Sequence, residues 1–132
     1  MTALEQQAAA AKKASHTLMT AGTDIKNRAL KTIADALIER KDEWLSANAE
    51  DMKQAADAGL SLAMLDRLKL TPERIQDIAD GVRQVITLPD PTAVSDKTVK
   101  RPNGLIISRR RVPLGVIAII FEARPNVTVD AA

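Results

Sequence analysis

The residues best suited to chemistry crowd one short segment near the end of the sequence, Glu122-Ala-Arg-Pro-Asn126. Arg124 carries a planar guanidinium, which grips a carboxylate or phosphate through two parallel hydrogen bonds. Asn126 carries an amide N–H of the kind that stabilises an oxyanion as it forms. The competing reading is structural, with Asn126 capping a following helix and Glu122 paired to Arg124. Spacing alone leaves these readings even. They are also compatible, because a helix start favours anions.

Other candidates are weaker. Arg109, Arg110 and Arg111 form the densest basic cluster. It suits phosphate or nucleic acid, but charges on an exposed edge strand that block edge-to-edge pairing are the stronger reading. Side chains alternate along a strand, so only Arg109 and Arg111 can act together. His16 is the only histidine and has no carboxylate near it in sequence. A catalytic histidine needs such partners, so a surface role is expected. With no cysteine, the chain has neither a disulfide nor a thiol nucleophile, and one histidine does not make a metal site. Gly115 stands alone, without a glycine-rich dinucleotide or phosphate-loop pattern around it.

The sequence of 132 residues suffices for one modest domain to support these side chains. Hydrophobic residues make up 45% and aromatic residues 2%, so the core must be built from Leu, Ile, Val and Ala. The net charge of +2 gives no strong pull toward nucleic acid or an anionic membrane. The first residues lack a basic stretch followed by an apolar core, which argues against a signal peptide. No run approaches the ~18 apolar residues of a membrane span. A soluble cytoplasmic protein is expected.

Residues 2–90 read as helices. Thr2 and Glu5 fit a capping box. Leu4, Ala8, Ala11, Ser15 and Leu18 line one narrow face, and Gly22 ends that helix. Thr23 is a candidate cap for the next, whose apolar stripe is Leu30, Ile33, Ala34, Leu37 and Ile38. Asn48 is a candidate cap for a further helix ending at Gly59. The alternative is one long helix over 24–58, bent near Ser46. A short helix follows over 61–68. Thr71-Pro72-Glu73 is a strong start signal for another, with Ile75, Ile78, Ala79, Val82, Val85 and Ile86 facing inward.

At Pro89 the character changes. Residues 98–112 read as a β-hairpin turning on Asn103-Gly104, with Pro102 just before the turn suggesting an edge. Residues 116–121 are apolar without alternation, the pattern of a strand buried on both faces of a parallel sheet. A helix start over 127–132 follows. Strand, polar loop and helix start is the geometry in which α/β enzymes place ligands. A strand of this kind needs neighbours that the chain does not contain, so the sequence is expected to be the front part of a larger enzyme. Alone, it should expose an apolar patch and self-associate.

The segment Arg110-Arg-Val-Pro-Leu-Gly-Val-Ile-Ala-Ile-Ile-Phe-Glu-Ala-Arg-Pro-Asn-Val-Thr-Val-Asp130 resembles the corresponding stretch of the γ-glutamyl phosphate reductase family (glutamate-5-semialdehyde dehydrogenase), within the aldehyde dehydrogenase superfamily. The resemblance continues through Asp24-Ile-Lys-Asn-Arg-Ala-Leu, Ile33-Ala-Asp-Ala-Leu, Asn48-Ala-Glu-Asp, Met64-Leu-Asp-Arg-Leu and Leu70-Thr-Pro-Glu-Arg-Ile, and covers essentially the whole chain.

It implies an α/β fold with three parts. Residues 1–91 are a helical segment of the cofactor domain. Residues 92–112 are a hairpin arm for oligomerisation. Residues 113–132 are the first strand and helix start of an NADP-binding, Rossmann-like core. It implies NADPH-dependent reduction of L-glutamyl 5-phosphate to L-glutamate 5-semialdehyde and phosphate in proline biosynthesis, through a cysteine nucleophile that this chain lacks. Asn126 is then the candidate oxyanion donor and Arg124 the candidate for the substrate's phosphate or carboxylate. Glu122 and Ala123 are candidates for contact with the cofactor. A homo-oligomer and a functional link to glutamate 5-kinase are also implied; nucleic acid and membrane are not. The rival readings are a non-catalytic helical interaction module and a nucleic-acid binder using residues 109–111.

Overall fold

A computed structural model describes residues 2–92 and 95–132. Contacts divide the chain into two units that interleave in sequence. The first comprises Met1–Asn27 with Leu88–Ala118, the second Arg28–Thr87 with Ile119–Ala132. No helix among the described residues is long and apolar enough to cross a membrane.

In the first unit, helix α1 (Ala3–Met19) starts on the expected capping box. The Glu5 N–H donates to Thr2 Oγ1 at 3.3 Å, and the Thr2 N–H donates to Glu5 Oε2 at 2.7 Å. The face through Leu4 and Leu18 is not covered, and no residue of α1 is buried. Thr23 does not cap helix α2 (Thr23–Glu39); it is the first residue of that helix, and its hydroxyl donates to Asp90 Oδ2 at 3.0 Å. Lys26 Nζ donates to the same oxygen at 2.8 Å and to Thr92 Oγ1 at 2.7 Å. The other oxygen of Asp90 accepts from the Thr92 N–H and hydroxyl, both at 2.8 Å. The Asp90 side chain is only 8% exposed. Lys26, followed by the Thr92 donors, holds its pKa far below the usual carboxylate range.

Strands β1 (Ser95–Lys100) and β2 (Ile106–Arg110) form an antiparallel hairpin, with Lys100 opposite Ile106 and Thr98 opposite Ser108. Ala93 and Val94, inside the expected arm, lie outside the described residues. The turn differs from the expected Asn-Gly pair. The Gly104 N–H donates to Arg101 O at 2.9 Å, and the Arg101 N–H donates to Leu105 O at 2.8 Å. Only Gly104, at φ +85°, takes a positive φ in the turn. Pro102 is the cause. Its ring fixes a φ suited to the first corner of an ordinary turn, which moves the corner to Pro102-Asn103 and leaves Gly104 to absorb the left-handed step. Asn103 then braces the turn by accepting the Leu105 N–H at 3.1 Å.

Residues 116–121 are not a buried strand here. They have no regular secondary structure, all are exposed, and Ile120 is 99% exposed. A strand is fixed by the ladder to its neighbours, and β1–β2 is the only sheet among the described residues. The helical segment and hairpin otherwise follow the expected fold.

In the second unit the core is small and alanine-rich. Ala34 and Ala79 are fully buried beside Val82, and Leu30, Leu37, Ile38 and Val129 close around them. Small residues let helix backbones approach closely, so little aromatic volume is needed. Helix α2 ends at Glu39 and helix α3 (Lys41–Asp57) begins directly after Arg40, so neither the long helix nor a break near Asn48 is found. Arg40 clasps Glu43 at 2.7 Å and lies over the Trp44 ring, 5.0 Å from its centroid. Asn48, expected at a cap, lies in mid-helix and is 6% exposed. Gly59 closes α3 at φ +77°, with the Leu60 N–H donating to Ala55 O.

Helix α4 (Leu62–Leu68) starts on Ser61, and helix α5 (Pro72–Ile86) on Thr71, whose hydroxyl accepts the Arg74 N–H at 3.2 Å. Ile75, Ala79 and Val82 of α5 are buried as the periodicity predicts, whereas Val85 is exposed. Helix α6 (Val127–Asp130) is a single short turn, docked through Val129 on the alanine core.

Candidate functional site

The α4–α5 junction and residues 124–126 of the loop border one groove, within the second unit, of about 400 Å³; Glu122 and Ala123 do not line it. Its charged lining is Asp66, Arg67, Lys69, Arg74, Asp77 and Arg124; Leu70, Ile78, Pro125 and Asn126 complete it. Three local devices position these residues. Asn48 is the first. Its amide donates to Leu68 O at 2.9 Å, and its carbonyl accepts the Leu70 N–H at 2.7 Å. The connection carrying Lys69 and Leu70 is thus held to α3. Arg74 is the second. It pairs with Asp66 Oδ1 at 2.9 Å and donates to the carbonyls of Lys69 (2.8 Å) and Asp66, which clamps the end of α4. The third is the seating of Val129 in the core, which fixes α6 and the loop entering it.

Arg74 and Asp66 therefore satisfy each other. Arg67, Lys69, Arg124 and Asp77 have no ion-pair partner among the described residues. The groove is left with surplus positive charge and one carboxylate, an arrangement suited to a small ligand that is mainly anionic.

The pairing of Glu122 with Arg124 that the structural reading required is not found among the described residues. Both side chains are exposed, and solvent between exposed charges removes most of the incentive to pair. Asn126 occupies the position before α6 but does not cap it. Its backbone is already helical, at φ −61° and ψ −32°, not the extended conformation of a capping residue, and its side chain makes no capping hydrogen bond. Its Nδ2 donates instead to Asp130 Oδ2 at 2.9 Å. That bond orients the amide and leaves its second N–H available. Ala123 is held at φ +49°, the only non-glycine residue with positive φ among the described residues. Such strain costs roughly 1–3 kcal/mol and concentrates at functional loops.

The remaining candidates do not line this groove. Arg109 and Arg111 share Asp96, at 3.5 and 3.1 Å, beside the bulge between Ser95 and Lys97. His16 is exposed on α1, and the described residues contain no metal-binding cluster. Arg67 and Asp77 have no distinguishing mark in the sequence, where each is one more helix-surface charge. Only the approach of loop 122–126 gives them a shared concavity.

No protein-family model matches the chain. Individual proteins do. The chain is 52% identical over 126 residues to the γ-glutamyl phosphate reductase of Halothermothrix orenii, covering 96% of this chain and 30% of that protein. It is 51% identical over 132 residues to the same enzyme of Anoxybacillus flavithermus, covering 100% and 32%. Over its whole length, this chain is similar to γ-glutamyl phosphate reductases. The crystal structure of γ-glutamyl phosphate reductase from Thermotoga maritima superposes with a TM-score of 0.94 at 41% identity, covering 97% of this chain and 31% of that one. The chain thus spans about a third of the length of the reductases it matches.

Proposed function

We propose that the chain is part of an NADPH-dependent γ-glutamyl phosphate reductase, in which loop 122–126 handles the reacting acyl phosphate. The observation that carries this reading is sequence identity of about half along the entire chain, with the backbone superposition behind it. The reaction reduces L-glutamyl 5-phosphate to L-glutamate 5-semialdehyde and releases phosphate, a step of proline biosynthesis. A cytoplasmic homo-oligomer linked to glutamate 5-kinase is part of the same reading.

The chain contains no cysteine, so the attacking thiolate comes from outside these 132 residues. It attacks the acyl carbon, the bond from that carbon to the phosphate oxygen breaks, and phosphate departs with the bonding pair. Arg124 neutralises the departing phosphate through its paired N–H donors. The Asn126 amide, oriented by Asp130, donates to the carbonyl oxygen as it becomes an oxyanion. A bound nicotinamide cofactor, NADPH in this reading, would supply the hydride needed to reduce the resulting thioester. The described residues include no glycine-rich turn that would cradle its pyrophosphate. The strained backbone at Ala123 and the exposed Glu122 are the places where this chain would approach the nicotinamide.

The test uses the intact polypeptide that carries this chain. Oxidation of NADPH that depends on L-glutamyl 5-phosphate, and that is slower with NADH, is expected. In Asn126→Ala, kcat should fall by about 10²–10³, as on removal of one oxyanion donor elsewhere. Absence of substrate-dependent NADPH oxidation by the wild type would overturn the reading.

A further inference from the structure

We propose that the α4–α5 side of the groove recognises the amino-acid end of the substrate, with Arg67 binding the α-carboxylate and Asp77 the α-ammonium. The assignment rests on the reductase reading and adds a specificity function to residues that look like ordinary surface charges in the sequence.

Charge matching is the first argument. With Arg74 and Asp66 paired, the groove presents the cations Arg67, Lys69 and Arg124 and the single anion Asp77. L-glutamyl 5-phosphate has the opposite pattern. Its phosphate contributes nearly two negative charges at neutral pH, its α-carboxylate one more, and its α-ammonium one positive charge. Placement is the second argument. Arg124 and Asn126 lie on the loop, whereas Arg67 lies in the last turn of α4 and Asp77 in the second turn of α5. A short chain charged at both ends meets one group of residues with its acyl phosphate and the other with its amino-acid head. Size is the third. A groove of about 400 Å³ lies at the small end of the usual ligand-pocket range, roughly 300–1,000 Å³.

The side chains divide the work by geometry. A planar guanidinium matches a carboxylate through two parallel bonds, so Arg67 is assigned to the α-carboxylate, and Lys69 adds charge without directional demand. Among the described residues, Asp77 is the only carboxylate of the groove without an ion-pair partner, which assigns it the ammonium. These are specificity-determining residues and take no part in bond making.

The experiment compares ligands that differ by one group. In the oxidative direction, with NADP and inorganic phosphate, the intact enzyme is given L-glutamate 5-semialdehyde, 5-oxopentanoate, which lacks only the ammonium, or pentanal, which lacks both head groups. Competitive inhibition by L-glutamate and by glutarate makes the same comparison without turnover. Asp77→Asn should weaken the semialdehyde and L-glutamate by about 10- to 100-fold, the range for one charge-assisted hydrogen bond. It should leave 5-oxopentanoate and glutarate unchanged. Arg67→Gln should raise KM for both carboxylated aldehydes, leave kcat near wild type, and leave pentanal unaffected. Equal losses across all ligands, or none, would overturn the assignment, because a structural role does not discriminate among head groups. A wild type inactive on every aldehyde would overturn the reductase reading itself, a different and recognisable result.

Discussion

Asn48 offers a direct test of how the groove is held. Its amide ties two backbone groups of the α4–α5 connection, Leu68 O at 2.9 Å and Leu70 N at 2.7 Å, and the side chain is almost fully buried. Asn48→Ala removes both partners at once. A buried donor or acceptor left unsatisfied costs about 1–3 kcal/mol. Leu68 and Leu70 are half-buried, so water recovers part of each loss, and a total of about 2–4 kcal/mol is expected. Since 1.36 kcal/mol is tenfold, the Leu70 amide should exchange its hydrogen roughly 30- to 1,000-fold faster in native-state exchange on the intact protein.

Asn48→Asp separates the two bonds. A carboxylate still accepts from Leu70 N–H, so that amide stays protected, but it faces Leu68 O without a proton to give. Burial and the carbonyl together raise the pKa of the new acid. Stability should then be closest to wild type below the unfolded carboxyl pKa of about 4 and should fall as pH rises above it. An Ala variant whose Leu70 amide exchanges at the wild-type rate would refute the reasoning.

Two further perturbations address the first unit. Asp90 has a depressed pKa, so its contribution to stability is complete above the unfolded carboxyl value of 3.8 and is lost as pH falls below it. Its carboxyl carbon should still show the ionised NMR shift at about pH 3, where a free aspartate is mostly protonated, and Asp90→Asn should flatten the acid limb of the stability profile. In the hairpin, Gly104 sits at φ +85° with open space where a Cβ would project. Gly104→Ala should therefore cost about 1 kcal/mol from backbone strain alone, read as roughly fivefold faster exchange of the Arg101 amide. Unchanged exchange would place the turn elsewhere.

The legibility of this chain follows the range of the forces involved. The capping box at Thr2 and Glu5, the Thr71-Pro72 start, the Gly59 stop and the buried stripe through Ile75, Ala79 and Val82 were all readable, because each is decided within one or two turns of chain. The chemical types at Arg124 and Asn126 are legible for a similar reason, since a guanidinium and an amide on a proline-containing loop are given by residue identity, whatever their role. Sequence and structure part where distant residues compete. Thr23 and Asn48 carry capping side chains, yet Asp90 claims the first and the backbone at Leu68 and Leu70 claims the second. The run 116–121 has the composition of a buried strand, but composition supplies no ladder partner, and none lies among the described residues.

The sequence by itself determined the starts of α1 and α5, the stop at Gly59, the presence of a hairpin and the chemical types on loop 122–126. Tertiary structure alone decided which charges neutralise one another and which remain for a ligand. Arg74 is taken up by Asp66, and Arg109 and Arg111 by Asp96, while Arg67, Lys69, Asp77 and Arg124 meet around one groove. The physical reason is that an ion pair depends on distance in space, set by the packing of α6 on the alanine core, and a charged residue carries no record of that distance in its own identity.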